Sequence, residues 1–176
     1  KQIPTEIEKI NAGIHIRNKH QINPEEKILL FTGTLDYAPN ANALQILVDI
    51  IIPMLSKITN QPFRVIACGR IIHPEYQNLL SLNHEHYTYA GLVEDLEIYL
   101  LAADVFLNPV AAGGGIKVKT MEALSYNLPV ISTEHSARGI DQSLLGHNLR
   151  VSADNDWPRF CHLITEAWSQ HSDTPE

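Results

Sequence analysis

Residues 28–69 read ILLFTGTLDYAPNANALQILVDIIIPMLSKITNQPFRVIACG. The stretch opens on a continuous apolar run, Ile28–Thr32, that stops at Gly33. From Pro39 to about Ile58 it turns helical, with Ala43, Leu44, Leu47, Val48, Ile51 and Ile52 on a repeating face. Pro53 sits inside that segment and predicts a kink or a break. A second apolar run, Phe63–Cys68, stops at Gly69. Uninterrupted apolar strands around an amphipathic helix are the βαβ unit of a parallel sheet covered on both faces.

The alternation continues outward. Pro74–Leu82 reads as a short helix, Tyr87–Ala90 as a strand ending at Gly91, Glu94–Ala102 as a helix and Val105–Asn108 as a strand. Ile116–Tyr126 is helical, Pro129–Ser132 and Asn148–Val151 are strands, and Asp156–Ser169 is a closing helix. Upstream, Glu6–His20 reads as an amphipathic helix with Ile7, Ile10, Ile14 and Ile16 on one side, weakened by Gly13. The sum is an α/β fold: a doubly wound, Rossmann-like parallel sheet of about six strands. Residues 1–24 lead into the domain, 25–170 form it, and 171–176 read as a frayed tail.

Composition narrows the function classes. The chain has 176 residues, 44% hydrophobic and 19% charged, enough for one well-buried domain. A net charge of −7 argues against a nucleic-acid face, which needs clustered basic residues. No apolar run reaches the ~18 residues of a membrane span. The opening Lys1-Gln2-Ile3-Pro4-Thr5-Glu6 has neither Met nor the apolar core of a signal peptide, and is read as the start of a piece of a longer chain. Cys68 and Cys161 are far apart and read as buried free thiols of a reducing compartment. His84-Glu85-His86 reads as a solvated loop, since a metal would want helical spacing or a third ligand. Trp157 and Trp168 read as packing residues of the last helix.

In an open parallel sheet, ligands bind beyond the carboxyl ends of the strands. Gly33, Gly69 and Gly91 stand there, as does Arg70, within reach of a phosphate. The loop after the fourth strand reads Asn108-Pro109-Val110-Ala111-Ala112-Gly113-Gly114-Gly115-Ile116-Lys117-Val118-Lys119. Three glycines before a helix start expose unpaired amides that suit an anion. Lysines in a first helical turn oppose the dipole by some tenths of a kcal/mol, a penalty a bound phosphate reverses. Glu122, a turn and a half into this helix, is a candidate to hold sugar hydroxyls. His135 and Arg138 follow the fifth strand and face the same edge.

Residues 113–132, GGGIKVKTMEALSYNLPVIS, resemble the signature region of the donor-binding domain of retaining GT-B glycosyltransferases. Glu122 matches the second glutamate of that family's Glu-x7-Glu pattern, followed by Pro129-Val130-Ile131 on the next strand. Ala90-Gly91-Leu92-Val93-Glu94-Asp95-Leu96 resembles its base-recognition segment, and Phe31-Thr32-Gly33-Thr34-Leu35 its first glycine loop. Asp36-Tyr37-Ala38-Pro39-Asn40 fits a subset with aromatic-x-Pro-Asn after that loop. The similarity runs from about Ile28 to Trp168.

The resemblance implies the C-terminal half of a two-domain enzyme, the N-terminal acceptor domain being absent from this chain. The whole enzyme would move a sugar from a nucleoside-diphosphate sugar to an acceptor hydroxyl with retention. By resemblance, Val93 presents its backbone to the base, with Leu92 and Leu96 nearby. Gly33 and Thr34 face the diphosphate, Gly115 and Ile116 lie close to donor sugar and phosphates, and Glu122 holds the ribose. No metal or other cofactor is expected. The whole enzyme would be cytoplasmic, with any contact to the inner face of the membrane made through the full-length protein. Two departures stand out. The first glutamate of the pattern falls on Gly114, and no basic residue follows the first glycine loop, where Thr34 replaces the usual arginine. Lys117 or Lys119 is the expected substitute for the missing phosphate contact. A nucleotide-sugar 2-epimerase on the same architecture and a non-catalytic nucleotide-binding relic are the alternatives.

Overall fold

A computed structural model describes residues 3–71, 74–80, 84–113, 118–141 and 145–170. Six parallel strands form one sheet: β1 (Lys27–Thr32), β2 (Phe63–Cys68), β3 (Tyr87–Gly91), β4 (Val105–Asn108), β5 (Val130–Thr133) and β6 (Leu149–Ser152). Their order is β3-β2-β1-β4-β5-β6. The chain therefore reverses its winding direction between β1 and β4, and a crevice opens beyond the carboxyl ends of those two strands.

The helices are α1 (Glu6–His20), α2 (Ala38–Ile46), α3 (Ile52–Ile58), α4 (Leu96–Ala102), α5 (Val118–Ser125), α6 (Glu134–Ala137) and α7 (Trp157–Gln170). One face of the sheet is packed by α2, α3 and α7 around Phe31, Leu44, Leu47, Ile51, Phe63 and Phe160. The other is packed by α1, α4 and α5 around Ile16, Leu30, Ile66, Phe106 and Ala123. Leu29, Leu30, Phe31, Val65, Ile66 and Phe106 are fully buried, which explains why these strands read as unbroken apolar runs. Each such side chain contributes about 1.5–3 kcal/mol of burial.

The expected break at Pro53 takes the form of a π-helical turn, Leu47–Ile51, between α2 and α3, so that Pro53 enters the first turn of α3. The helix stays continuous across the proline: the Ile52 amide bonds the Leu47 carbonyl in the wider π-turn that precedes it. By length and composition Ala38–Ile58 could cross a bilayer, but Leu44, Leu47, Ile51, Ile52 and Leu55 lie in the core at zero exposure. The segment over Pro74–Leu80 is 3-10 rather than α-helix. A short helix, α6, follows β5 and carries His135, with Arg138 just past its end.

The first helix departs from its pattern. It spans the expected residues and is closed by a capping box in which Thr5 and Glu8 exchange bonds. Of its apolar residues, however, only Ile16 is buried, beside Ala12 and Gly13. Ile7, Ile10 and Ile14 face outward. Helix α1 packs against α4 with Ala12 and Ile16 in the shared core, and Arg17 is held by the Glu26 carbonyl at 2.8 Å beside Asp104. Burial of Ile16 and Ala12 and the polar anchoring of Arg17 set the helix's rotation, against the isoleucine stripe. His86 also departs from expectation: it stacks on Phe63 at 4.4 Å and bonds the Phe63 carbonyl. Cys68 and Cys161 are buried and free, and Trp157 and Trp168 are buried in the core, as read.

Candidate functional site

The crevice is built from the loops that follow β1, β2, β3 and β4. The first two pack backbone against backbone. Gly69 has φ +153°, and a Cβ placed on it would lie 1.8 Å from the Gly33 carbonyl oxygen. The Gly33 amide donates to the Cys68 carbonyl at 3.1 Å, and the Leu35 amide to the Arg70 carbonyl at 3.0 Å. The Gly69 amide donates to the Gly91 carbonyl, and the Tyr89 hydroxyl to the Gly69 carbonyl at 2.6 Å. Three glycine turns are thus knitted into one rim.

That rim encloses a cavity of about 430 Å³. Thr32, Gly33 and Thr34 line it from β1, Cys68, Gly69 and Arg70 from β2, and Leu92, Val93 and Leu96 from beyond β3. Its size and its mix of apolar walls with a few polar groups suit a small ligand. The fold brings together Gly33, Thr34, Arg70, Leu92, Val93 and Leu96, all singled out in the sequence. Arg70 is half exposed, its guanidinium 3.9 Å from the Asp36 carboxylate, a pair that holds it loosely. A larger groove of about 900 Å³ runs along the opposite edge between α1, the end of α4 and the start of β5. It lies at strand starts, where this fold class does not place its ligands.

Lys119 enters the crevice from α5. Its ammonium donates to Asn40 Oδ1 at 3.0 Å and to the Thr32 carbonyl at 3.4 Å, and lies 5.0 Å from the centre of the Phe31 ring. Burial alone pulls its pKa from 10.5 down to about 8, because no carboxylate offsets the lost hydration. Among the described residues no ion pair forms at this ammonium. Glu122, one turn further along α5, is exposed and does not line the cavity. Gly114, Gly115, Ile116 and Lys117 lie outside the described residues.

The glycine-rich loop is held at its near end. Gly113 has φ +93°, and a Cβ there would lie 2.5 Å from Pro39 Cγ and 3.0 Å from the Tyr37 hydroxyl. His135 of α6 bonds the Gly113 carbonyl at 2.7 Å. Ser136 Oγ donates to the Val110 carbonyl at 2.7 Å, and the Thr133 hydroxyl does so as well. Gly113 belongs to the glycine run read in the sequence as an anion site, but the sequence assigns no site role to Tyr37, Pro39 or Asn40. The signal was there in the aromatic-x-Pro-Asn segment, but sequence gives it no partner.

A profile of the group 1 glycosyl transferases matches residues 26–169. Over 61 residues the chain is 48% identical to the amylovoran biosynthesis glycosyltransferase AmsK of Erwinia amylovora, covering 32% of this chain and 14% of that protein. Among solved structures it resembles WaaG, a glycosyltransferase involved in lipopolysaccharide biosynthesis, with TM-score 0.67 and 19% identity, covering 97% of this chain and 44% of WaaG. It also resembles the C-terminal domain of the group 1 glycosyl transferase LpcC of Francisella tularensis, with TM-score 0.63 and 15% identity, covering 97% of this chain and 86% of that domain. The chain thus spans less than half the length of AmsK and of WaaG.

Proposed function

The chain belongs to the group 1 glycosyltransferases, and from that premise we propose that it is the half of such an enzyme that binds a nucleoside-diphosphate sugar. The observation that carries this reading is Lys119: a buried ammonium with no carboxylate partner among the described residues, set at the switch point beside a cavity of ligand size. A buried cation held only by carbonyl, amide and ring is poorly compensated, and a diphosphate would supply the missing charge. Leu92, Val93 and Leu96 would take the base, Gly33 and Thr34 the diphosphate, and Glu122 the ribose once the crevice closes on its ligand.

In the reaction, the bond between the anomeric carbon and the diphosphate oxygen breaks and its electron pair leaves with the diphosphate. The acceptor hydroxyl oxygen bonds to the same face of that carbon, and its proton would pass to the departing diphosphate oxygen on that face. Lys119 and the start of α5 would stabilise the charge that builds on the leaving group, which is the electrostatic part of catalysis. The acceptor would bind in a second domain outside this chain, which spans 44% of the length of WaaG. The free thiols fit a reducing compartment, the cytoplasm.

Calorimetric titration with UDP, GDP and ADP tests the reading. Binding of one nucleotide, weakened in Lys119→Ala and in Glu122→Ala, supports it and names the base. Absence of binding by this chain and by the longer protein would leave a relic without a donor site.

A further inference from the structure

Asn40 lies at the first turn of α2, next to Pro39, and is 7% exposed. Its amide is fully engaged on two sides. Oδ1 accepts from the Lys119 ammonium at 3.0 Å, and Nδ2 donates to the Thr34 carbonyl at 3.0 Å. The orientation of the amide is dictated by chemistry: an ammonium only donates and a carbonyl only accepts. The same amide fills the space that a side chain on Gly33 would need, its Cγ 2.8 Å from the ideal Cβ position. Asn40 therefore sets the Gly33–Thr34 turn and the place of Lys119 together. In the same segment, three and one residues before Asn40, Tyr37 and Pro39 abut Gly113.

An aspartate would fit the same space and would bond Lys119 more strongly. It would also neutralise the ammonium and set a carboxylate against the Thr34 carbonyl. We propose that Asn40 is a positioning residue that holds Lys119 in place without consuming its charge, so that the segment Tyr37–Asn40 with Lys119 replaces the basic residues absent after the first glycine loop. The low pKa of Lys119 agrees with a cation that has partners but no counter-charge. This inference rests on the reading of the crevice as a nucleoside-diphosphate site, and it adds the residue that makes that site work without an arginine at position 34.

The test is a double-substitution cycle on this chain, read by calorimetric titration with UDP, GDP, ADP and inorganic pyrophosphate, with thermal unfolding measured on every variant. Asn40→Asp, which trades the bond to the Thr34 carbonyl for an ion pair with Lys119, is expected to stay folded and to weaken anion binding at least tenfold. A carboxylate at position 40 also repels an anion directly, so the cycle is closed with the neutral Asn40→Ala, which is expected to weaken binding in the wild-type background and to change affinity less than about twofold in Lys119→Met, where the ammonium it acts through is gone. Wild-type affinity in Asn40→Asp overturns the inference, as does an equal loss for Asn40→Ala in both backgrounds. A wild-type chain that binds none of the four ligands removes the proposed function, and this inference with it; a wild-type chain that binds, with an unresponsive Asn40→Asp, removes the inference alone.

Discussion

The Nε2 of His135 lies 2.7 Å from the carbonyl oxygen of Gly113, so the short helix after β5 grips the glycine-rich loop that follows β4. The carbonyl can only accept, so Nε2 carries the proton. The His135 amide is itself fixed by the Asp154 carboxylate at 2.9 Å. The opposite side of Gly113 meets Pro39 and Tyr37. Loops after three different strands therefore converge on one glycine.

His135→Ala removes one hydrogen bond, worth about 1 kcal/mol, and should weaken nucleotide binding roughly fivefold through a looser loop. His135→Gln, which can still donate, should recover part of that loss. Calorimetric titration of both variants checks this. Equal affinities across wild type, Ala and Gln would separate the clamp from the site.

Gly69→Ala should not give a folded protein. Its Cβ would lie 1.8 Å from the backbone oxygen of Gly33, and backbone cannot yield as a side chain end can. Gly146→Ala meets nothing within 4 Å and carries only the strain of φ +52°, so it should cost about 1–2 kcal/mol. Urea denaturation of the two variants side by side is the measurement.

Anion affinity should depend on pH through Lys119. Its folded-state pKa is about 8, against 10.5 for a free lysine. Below pH 8 the ammonium is charged, and phosphate, whose second ionisation lies near about 6, is fully ionised by pH 7–8. Affinity should fall as pH rises through 8, by at most about tenfold per unit, with proton uptake on binding. Lys119→Met should flatten the profile. Without ligand the sign of stability is opposite: between about 8 and 10.5 the unfolded chain binds the extra proton, so Lys119's contribution to stability rises with pH.

On α1, Ile16→Ala should cost about 2–5 kcal/mol, as expected for a fully buried aliphatic side chain. Ile7→Gln and Ile14→Gln should each change stability by less than about 0.5 kcal/mol, since both side chains are mostly exposed. Chemical denaturation distinguishes these outcomes. A large loss for Ile7 or Ile14 would mean that the helix packs on a different face.

Strand and helix identity was legible along most of the chain because buried parallel strands and amphipathic helices leave strong local periods. Residues 28–69 alone declare a βαβ unit, and the glycines that end each run mark the edge where a ligand sits. The six cavity residues Gly33, Thr34, Arg70, Leu92, Val93 and Leu96 follow from that logic with the family resemblance. The rotation of α1 did not, because periodicity finds an apolar stripe but not the partner it faces. Here the burial of Ile16 and Ala12 and the anchoring of Arg17 overrule three isoleucines. Nor could the sequence pair Asn40 with Lys119, 79 residues apart. Local spacing specifies which elements form, since it depends on neighbours along the chain. Which elements meet at the crevice depends on the strand order β3-β2-β1-β4-β5-β6, which sets β1 beside β4 and so carries α5's lysine to the loop after β1.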